Sequence, residues 1–242
     1  MTSRTLVACA GLALVVGCDS LPGRPRPESR PVRPSQITDF AALYAGNCAG
    51  CHGSEAAPGA AVTLADPVYL AFADDATLRL VTSQGIPGTV MPGFARSQGG
   101  TLTDAQIEIL VSGMRAHWAR PGAIDGAAPP LYAAAPGDAG RGAQVYADRC
   151  SACHGARGTG GNRGGSVVDG SYLGLVSDQG LRTAVVVGRP ALGMPDWRGD
   201  APGPPMSAQD VADVVAWLIA QRPEFPGQPY PTPIATRGPH DG

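Results

Sequence analysis

Two segments of the chain repeat one hydrophobic spacing. In TDAQIEILVSGMRAHW, Ile107, Leu110, Val111 and Met114 fall at i, i+3, i+4 and i+7. In SAQDVADVVAWLIAQR, Val211, Val214, Val215 and Leu218 do the same. That period predicts two amphipathic helices, each with one buried stripe. Thr103 and Ser207 stand at the N-cap positions, where a hydroxyl can accept an orphan amide of the first turn. ITDFAALYAGN and AGRGAQVYADR also read as helices, with Tyr44 and Tyr146 each four residues before a cysteine. Strand signal is confined to TAVVVG at 183–188, which a short helix explains as well. The expected fold class is all-α.

Gly (34) and Pro (24) are abundant and cluster between these segments. LPGRPRPESRPVRPSQ, at 21–36, has almost nothing apolar and predicts an extended tether over 19–38. Its arginines are read as solvating it rather than as a lipid-binding patch. PGAIDGAAPPLYAAAPGD, at 121–138, is a second such segment, and 223–242 reads as an irregular tail. The stretches between them align with each other. Cys48 maps onto Cys150 at an offset of 102, Met91 onto Met194 at 103, and Thr103 onto Ser207 at 104. Each half runs in the same order: helix, C-x-x-C-H, long loop, Met-Pro, capped helix. The drift in offset is that of single-residue loop insertions. Two domains are therefore expected, at 39–120 and 139–222, an internal repeat that divides the chain.

The shared motif is CAGCH at 48–52 and CSACH at 150–154. On a helical turn, residues i, i+3 and i+4 share a face. Two sulfurs and an imidazole then point the same way, the pattern of c-type haem attachment through two thioethers and a proximal His. Cys48, Cys51, Cys150 and Cys153 are the attachment candidates, and His52 and His154 the iron ligands. A zinc site would need four ligands and would have to join the two halves. A redox dithiol would want a βαβ context and would leave each His unexplained. A disulfide across two residues is strained. Met91 and Met194 follow their histidines by 39 and 40 residues, each just before a proline. Proline holds the residue before it in extended backbone, so each thioether can be presented from a loop as the sixth ligand. The alternative is that each Met packs on a haem edge. Met114, in a helix stripe, and Met206, just before a cap, are poorer ligand candidates.

Net charge is −2, and all 18 basic residues are arginines. Such a near-neutral chain has no general electrostatic reason to bind nucleic acid. The segment 39–120 carries 4 basic and 7 acidic residues, and 139–225 carries 8 of each. The two halves are thus expected to face different partners. At the N-terminus, Arg4 precedes an apolar run from Leu6 to Val16, too short to span a bilayer. Residues 1–18 read as a signal peptide. Val15-Val16-Gly17-Cys18 resembles a bacterial lipobox, which makes Cys18 the lipidated residue. Cys9 fits the same local pattern but leaves almost no apolar region before it, and ordinary secretion is the other alternative. Both place the mature chain outside the cytoplasm, on the periplasmic side, and lipidation would anchor it to the membrane.

Each half resembles a class I cytochrome c domain, and the whole resembles a dihaem cytochrome c. The resemblance implies two c-type haems, His/Met ligation, and single-electron transfer rather than catalysis. It implies redox protein partners: an oxidase, a quinol-oxidising complex or a dehydrogenase. It also implies close crossing of the first and last helices, a small residue facing an aromatic one. Gly142 is then expected to receive Trp217, and Phe40 to lie over Gly113. A free carrier, a subunit fixed on a larger complex, and a dihaem peroxidase-type enzyme remain the three functional readings. The last would want a spare histidine. His117 is expected at a helix C-terminus, and His240 in the tail.

Overall fold

The computed structural model describes residues 31–133, 136–200 and 203–224. Cys9, Cys18 and His240 lie outside them. Among the described residues there are ten α-helices, three 3-10 turns and no strand. A turn at Pro34–Gln36 belongs to a separate unit ending at Ile37.

The first half contains α1 (Phe40–Asn47), α2 (Ala49–His52), α3 (Pro67–Phe72), α4 (Asp75–Gln84) and α5 (Asp104–Trp118). The second repeats the order with α6 (Ala139–Arg149), α7 (Ser151–His154), α8 (Gly170–Leu175), α9 (Asp178–Val187) and α10 (Ala208–Ala220). Both predicted caps form. The Thr103 and Ser207 hydroxyls accept from the amides of Gln106 and Asp210, whose side chains accept in return. Both predicted stripes are buried, from Ile107 to Met114 and from Val211 to Leu218. The segment 183–188 is helical, lying mostly in α9, with Val186 and Val187 buried.

The first and last helices of each half cross closely, as expected. A Cβ on Gly142 would stand 2.0 Å from the Asp213 carbonyl oxygen and 2.8 Å from the Trp217 Cβ. A Cβ on Gly113 would stand 2.1 Å from the Phe40 ring. The small and large partners are exchanged between the two crossings, and each fills the space the other leaves. Trp217 stacks on Tyr146 with centroids 4.2 Å apart, and Phe40 stacks on His117 at 4.9 Å.

An arginine ties the outer helices of each half together. Arg115 donates to Asp75 at 2.6 Å and to the Leu70 and Ala73 carbonyls. Arg222 donates to the Leu173 and Val176 carbonyls, at 2.9 and 2.7 Å, and to Asp178. The acceptors correspond at an offset of 103. The arginines do not, since Arg115 lies within α5 and Arg222 lies beyond the end of α10.

Candidate haem sites

Each motif forms one helical turn. The amides of Cys51 and His52 donate to the Cys48 carbonyl at 3.2 and 2.9 Å. Those of Cys153 and His154 donate to the Cys150 carbonyl at 3.1 and 2.9 Å. The two cysteines and the histidine of each motif therefore share a face, as the spacing requires. A tyrosine from the preceding helix closes each turn. The Tyr44 hydroxyl donates to the Gly53 carbonyl at 2.9 Å, and the Tyr146 hydroxyl to the Gly155 carbonyl at 2.6 Å.

The histidines are oriented identically. His52 Nδ1 lies 2.7 Å from the Val62 carbonyl oxygen, and His154 Nδ1 lies 2.8 Å from that of Gly165. A carbonyl oxygen only accepts, so Nδ1 carries the proton and Nε2 keeps its lone pair for a metal. Burial also lowers the His52 pKa, favouring the neutral ring that ligates. The chain packs tightly around the second ring: a Cβ on Gly164 would meet His154 Cε1 and Nδ1 at 2.8 Å.

All four motif cysteines are free thiols. Burial pushes those of Cys48 and Cys150 up to about 11. A reactive dithiol needs the opposite shift, whereas a thioether carries no charge to desolvate. Among the described residues no three His, Cys, Asp or Glu side chains converge to hold a metal ion, so the motifs do not assemble a shared zinc site. The donor set fits two separate covalent haems.

Met91 and Met194 occupy equivalent loops, each folded back onto the glycine that ends the preceding helix. Ile86 N–H donates to the Met91 carbonyl at 3.0 Å, and Arg189 N–H donates to the Met194 carbonyl at 2.9 Å. Gly85 and Gly188 have φ of 72° and 70°, and a Cβ on either would strike the loop backbone within 2.5 Å. Glycine is required at both for conformation and for close approach. The other two described methionines are used elsewhere. Met114 and Met206 are buried, and the Met206 amide donates to the Trp197 carbonyl at 2.9 Å. His117, exposed and stacked on Phe40, takes no part in this arrangement.

Sequence reasoning missed the second layer. Val62 and Gly165 act through backbone carbonyls, which have no residue-type signature. Gly164, Gly85 and Gly188 were the signals available.

The family described as cytochrome c oxidase, cbb3-type, subunit III, matches the chain over residues 35–112 and 137–218. Each stretch contains one C-x-x-C-H and one Met-Pro. No individual curated protein matches the chain.

Proposed function

Because the chain belongs to the cbb3-type cytochrome c oxidase subunit III family, with two tandem cytochrome c domains and two c-type haems, we propose that it carries single electrons between respiratory redox partners. Cys48, Cys51, Cys150 and Cys153 are the thioether sites. His52 and Met91 would hold one iron, and His154 and Met194 the other. The haems supply the redox couple, and the thioether ligands favour the ferrous state. The chain's own residues fix the imidazoles, partly bury the Cys48 and Cys150 sulfurs, and hold the methionines on braced loops. The observation that carries the reading is the pair of His Nδ1–carbonyl bonds, which leave Nε2 free in both halves.

The reading includes a periplasmic location and an anchor at lipidated Cys18, with the Pro/Arg-rich segment as tether. Among the described residues no helix is long and apolar enough to cross a membrane. The family description favours a second reading, a subunit fixed on an oxidase. The haem chemistry is then the same, and the lifetime of the partner contact differs. A peroxidase-type enzyme is less well supported, because a methionine stands in the loop of each half.

An optical redox titration of haem-loaded protein, with carbon monoxide added to the reduced form, tests this. Two low-spin haems at positive potential that ignore carbon monoxide are expected. A carbon monoxide-binding haem would mean that one methionine is not a firm ligand, and would overturn the closed-carrier reading.

A further inference from the structure

The two methionine loops differ in what lies behind them. In the first half the residues after Met91-Pro92 are Gly93, Phe94 and Ala95, and Phe94 is fixed at both ends: its amide donates to the Thr82 carbonyl at 3.0 Å and its carbonyl accepts from the Leu102 amide at 2.9 Å, with alanine rather than arginine next in the chain. In the second half the equivalent positions are Asp196, Trp197 and Arg198. Trp197 is buried and is fixed at both ends. Its amide donates to the Val186 carbonyl at 3.1 Å, and its own carbonyl accepts from Met206 at 2.9 Å.

Arg198 spreads its guanidinium across two parts of the chain. Nε and Nη2 hold the Asp196 carboxylate, the closest contact being 2.6 Å. Nη2 also donates to the Ala123 carbonyl at 3.2 Å, and Nη1 reaches Asp125 Oδ2 at 3.3 Å. The guanidinium carbon lies 5.2 Å from the centre of the Trp197 ring. Ala123 and Asp125 belong to the segment joining the two halves. Asp125 is the one non-glycine among the described residues with positive φ, at 47°, a conformation kept only where the surroundings hold it. A planar five-donor fork can hold the Asp196 carboxylate with two nitrogens while reaching Ala123 and Asp125; an ammonium, with three donors on one atom, does not reproduce that geometry.

We propose that Arg198 is a positioning residue that couples the interdomain segment to the Met194 loop, so that the ligation strength and potential of the second haem depend on how that segment is seated. This rests on the reading of Met194 as an iron ligand. No equivalent exists for the first haem, where Ala95 stands in place of arginine.

The test uses the full haem-loaded chain and compares Arg198→Ala, Arg198→Lys, Asp125→Ala, the Arg198→Ala/Asp125→Ala double variant and Met194→Ala. The readouts are midpoint potentials and carbon monoxide binding to the reduced protein. Arg198→Ala is expected to speed carbon monoxide binding at one of the two haems by about tenfold. It should also lower that haem's potential, because a looser thioether stabilises ferrous iron less. Asp125→Ala should act in the same direction but more weakly, since its pair with Arg198 is exposed, and should add nothing in the Arg198→Ala background. Arg198→Lys should resemble Arg198→Ala. If lysine restores the wild-type potential, charge alone is responsible and the coupling is wrong. If Arg198→Ala lowers thermal stability with both potentials unchanged, the role is merely structural and the inference falls by itself. If Met194→Ala does not open a haem to carbon monoxide, the functional reading falls, and this inference falls with it.

Discussion

At the residue scale, backbone carbonyls orient both imidazoles, Val62 for His52 and Gly165 for His154. Gly164 makes this layer testable. Its absent Cβ leaves the His154 ring room beside the Gly165 carbonyl. Gly164→Ala should displace the ring, shift the second haem's potential, and cost about 1–3 kcal/mol of stability, the usual scale of overpacking. Gly165→Ala is the control, because nothing lies within 4 Å of its added Cβ; it should stay within about 0.5 kcal/mol. Redox titration and thermal unfolding of the two variants check this. Equal effects would mean that the contact at 164 does not orient the imidazole. The C-x-x-C-H motifs were legible because they rest on side-chain type at fixed spacing, and Tyr44 and Tyr146 as a repeated position, whereas the orienting carbonyls were not, since any residue supplies one.

At the element scale, the capped helices could be read from their period, and α3 and α8 could not. A six-residue helix such as PVYLAF shows one apolar run without a full period. The usable signal was Asp66 and Asp169, which cap the two helices at an offset of 103. The arginine tie was hidden for another reason: Arg115 and Arg222 reach equivalent acceptors from non-equivalent positions, which no alignment of the halves reveals. The helix crossing was legible from residue size, and it yields a contrast. Gly142→Ala drives a methyl into the Asp213 backbone and should lose at least about 1–3 kcal/mol. Gly46→Ala, on α1 with nothing within 4 Å, should gain up to about 1 kcal/mol from helix propensity. Thermal unfolding gives both signs.

The same crossing carries an acid-sensitive group. Asp213 is buried and accepts from Arg141 at 2.7 Å and 2.9 Å, from the Asp138 amide at 2.7 Å and from Gln209 at 2.8 Å. These bonds, Arg141 foremost, hold its pKa at about 2, below the ordinary 3.8. A depressed carboxylate pKa contributes stability that is fully present above the unfolded value and is lost as pH falls through the folded one. The contribution should therefore disappear between about pH 4 and pH 2. Asp213→Asn should flatten the acid limb of the second domain's unfolding curve in that window while lowering stability at neutral pH. An unchanged acid limb would remove Asp213 as its source.

At the scale of the whole molecule, composition marked 121–138 as a separator. Its role as a packed strap was not legible, because it is held through its own backbone carbonyls by side chains distant in sequence, Arg182, Gln179 and Arg198. Arg182 of α9 is buried and donates to the Leu131 and Tyr132 carbonyls at 2.6–3.1 Å. Gln179 adds a bond to Tyr132 at 3.1 Å, and the Tyr132 ring meets Phe72 of α3 at 5.1 Å. At the equivalent position in α4, Arg79 is only partly buried and pairs with Glu108. Burial lowers the Arg182 pKa, and its Nη1 has no partner. Two effects therefore oppose each other when Arg182 is replaced by Met. Removing a desolvated, incompletely bonded cation favours the folded second domain, whereas leaving the Leu131 carbonyl without this donor and the Tyr132 carbonyl with Gln179 alone loosens the strap. The first acts on the domain and the second on the linker, so a melting temperature alone would mix them. Arg182→Met is expected to leave haem loading intact and change thermal stability by less than about 2 kcal/mol. Cleavage by a protease within 121–138 should meanwhile rise by about tenfold, because exposure of the strap tracks its local opening. A linker as protected as in the parent protein would show that the remaining contacts, the Tyr132–Phe72 ring pair and the bonds from Gln179 and Arg198, hold the strap without the buried arginine.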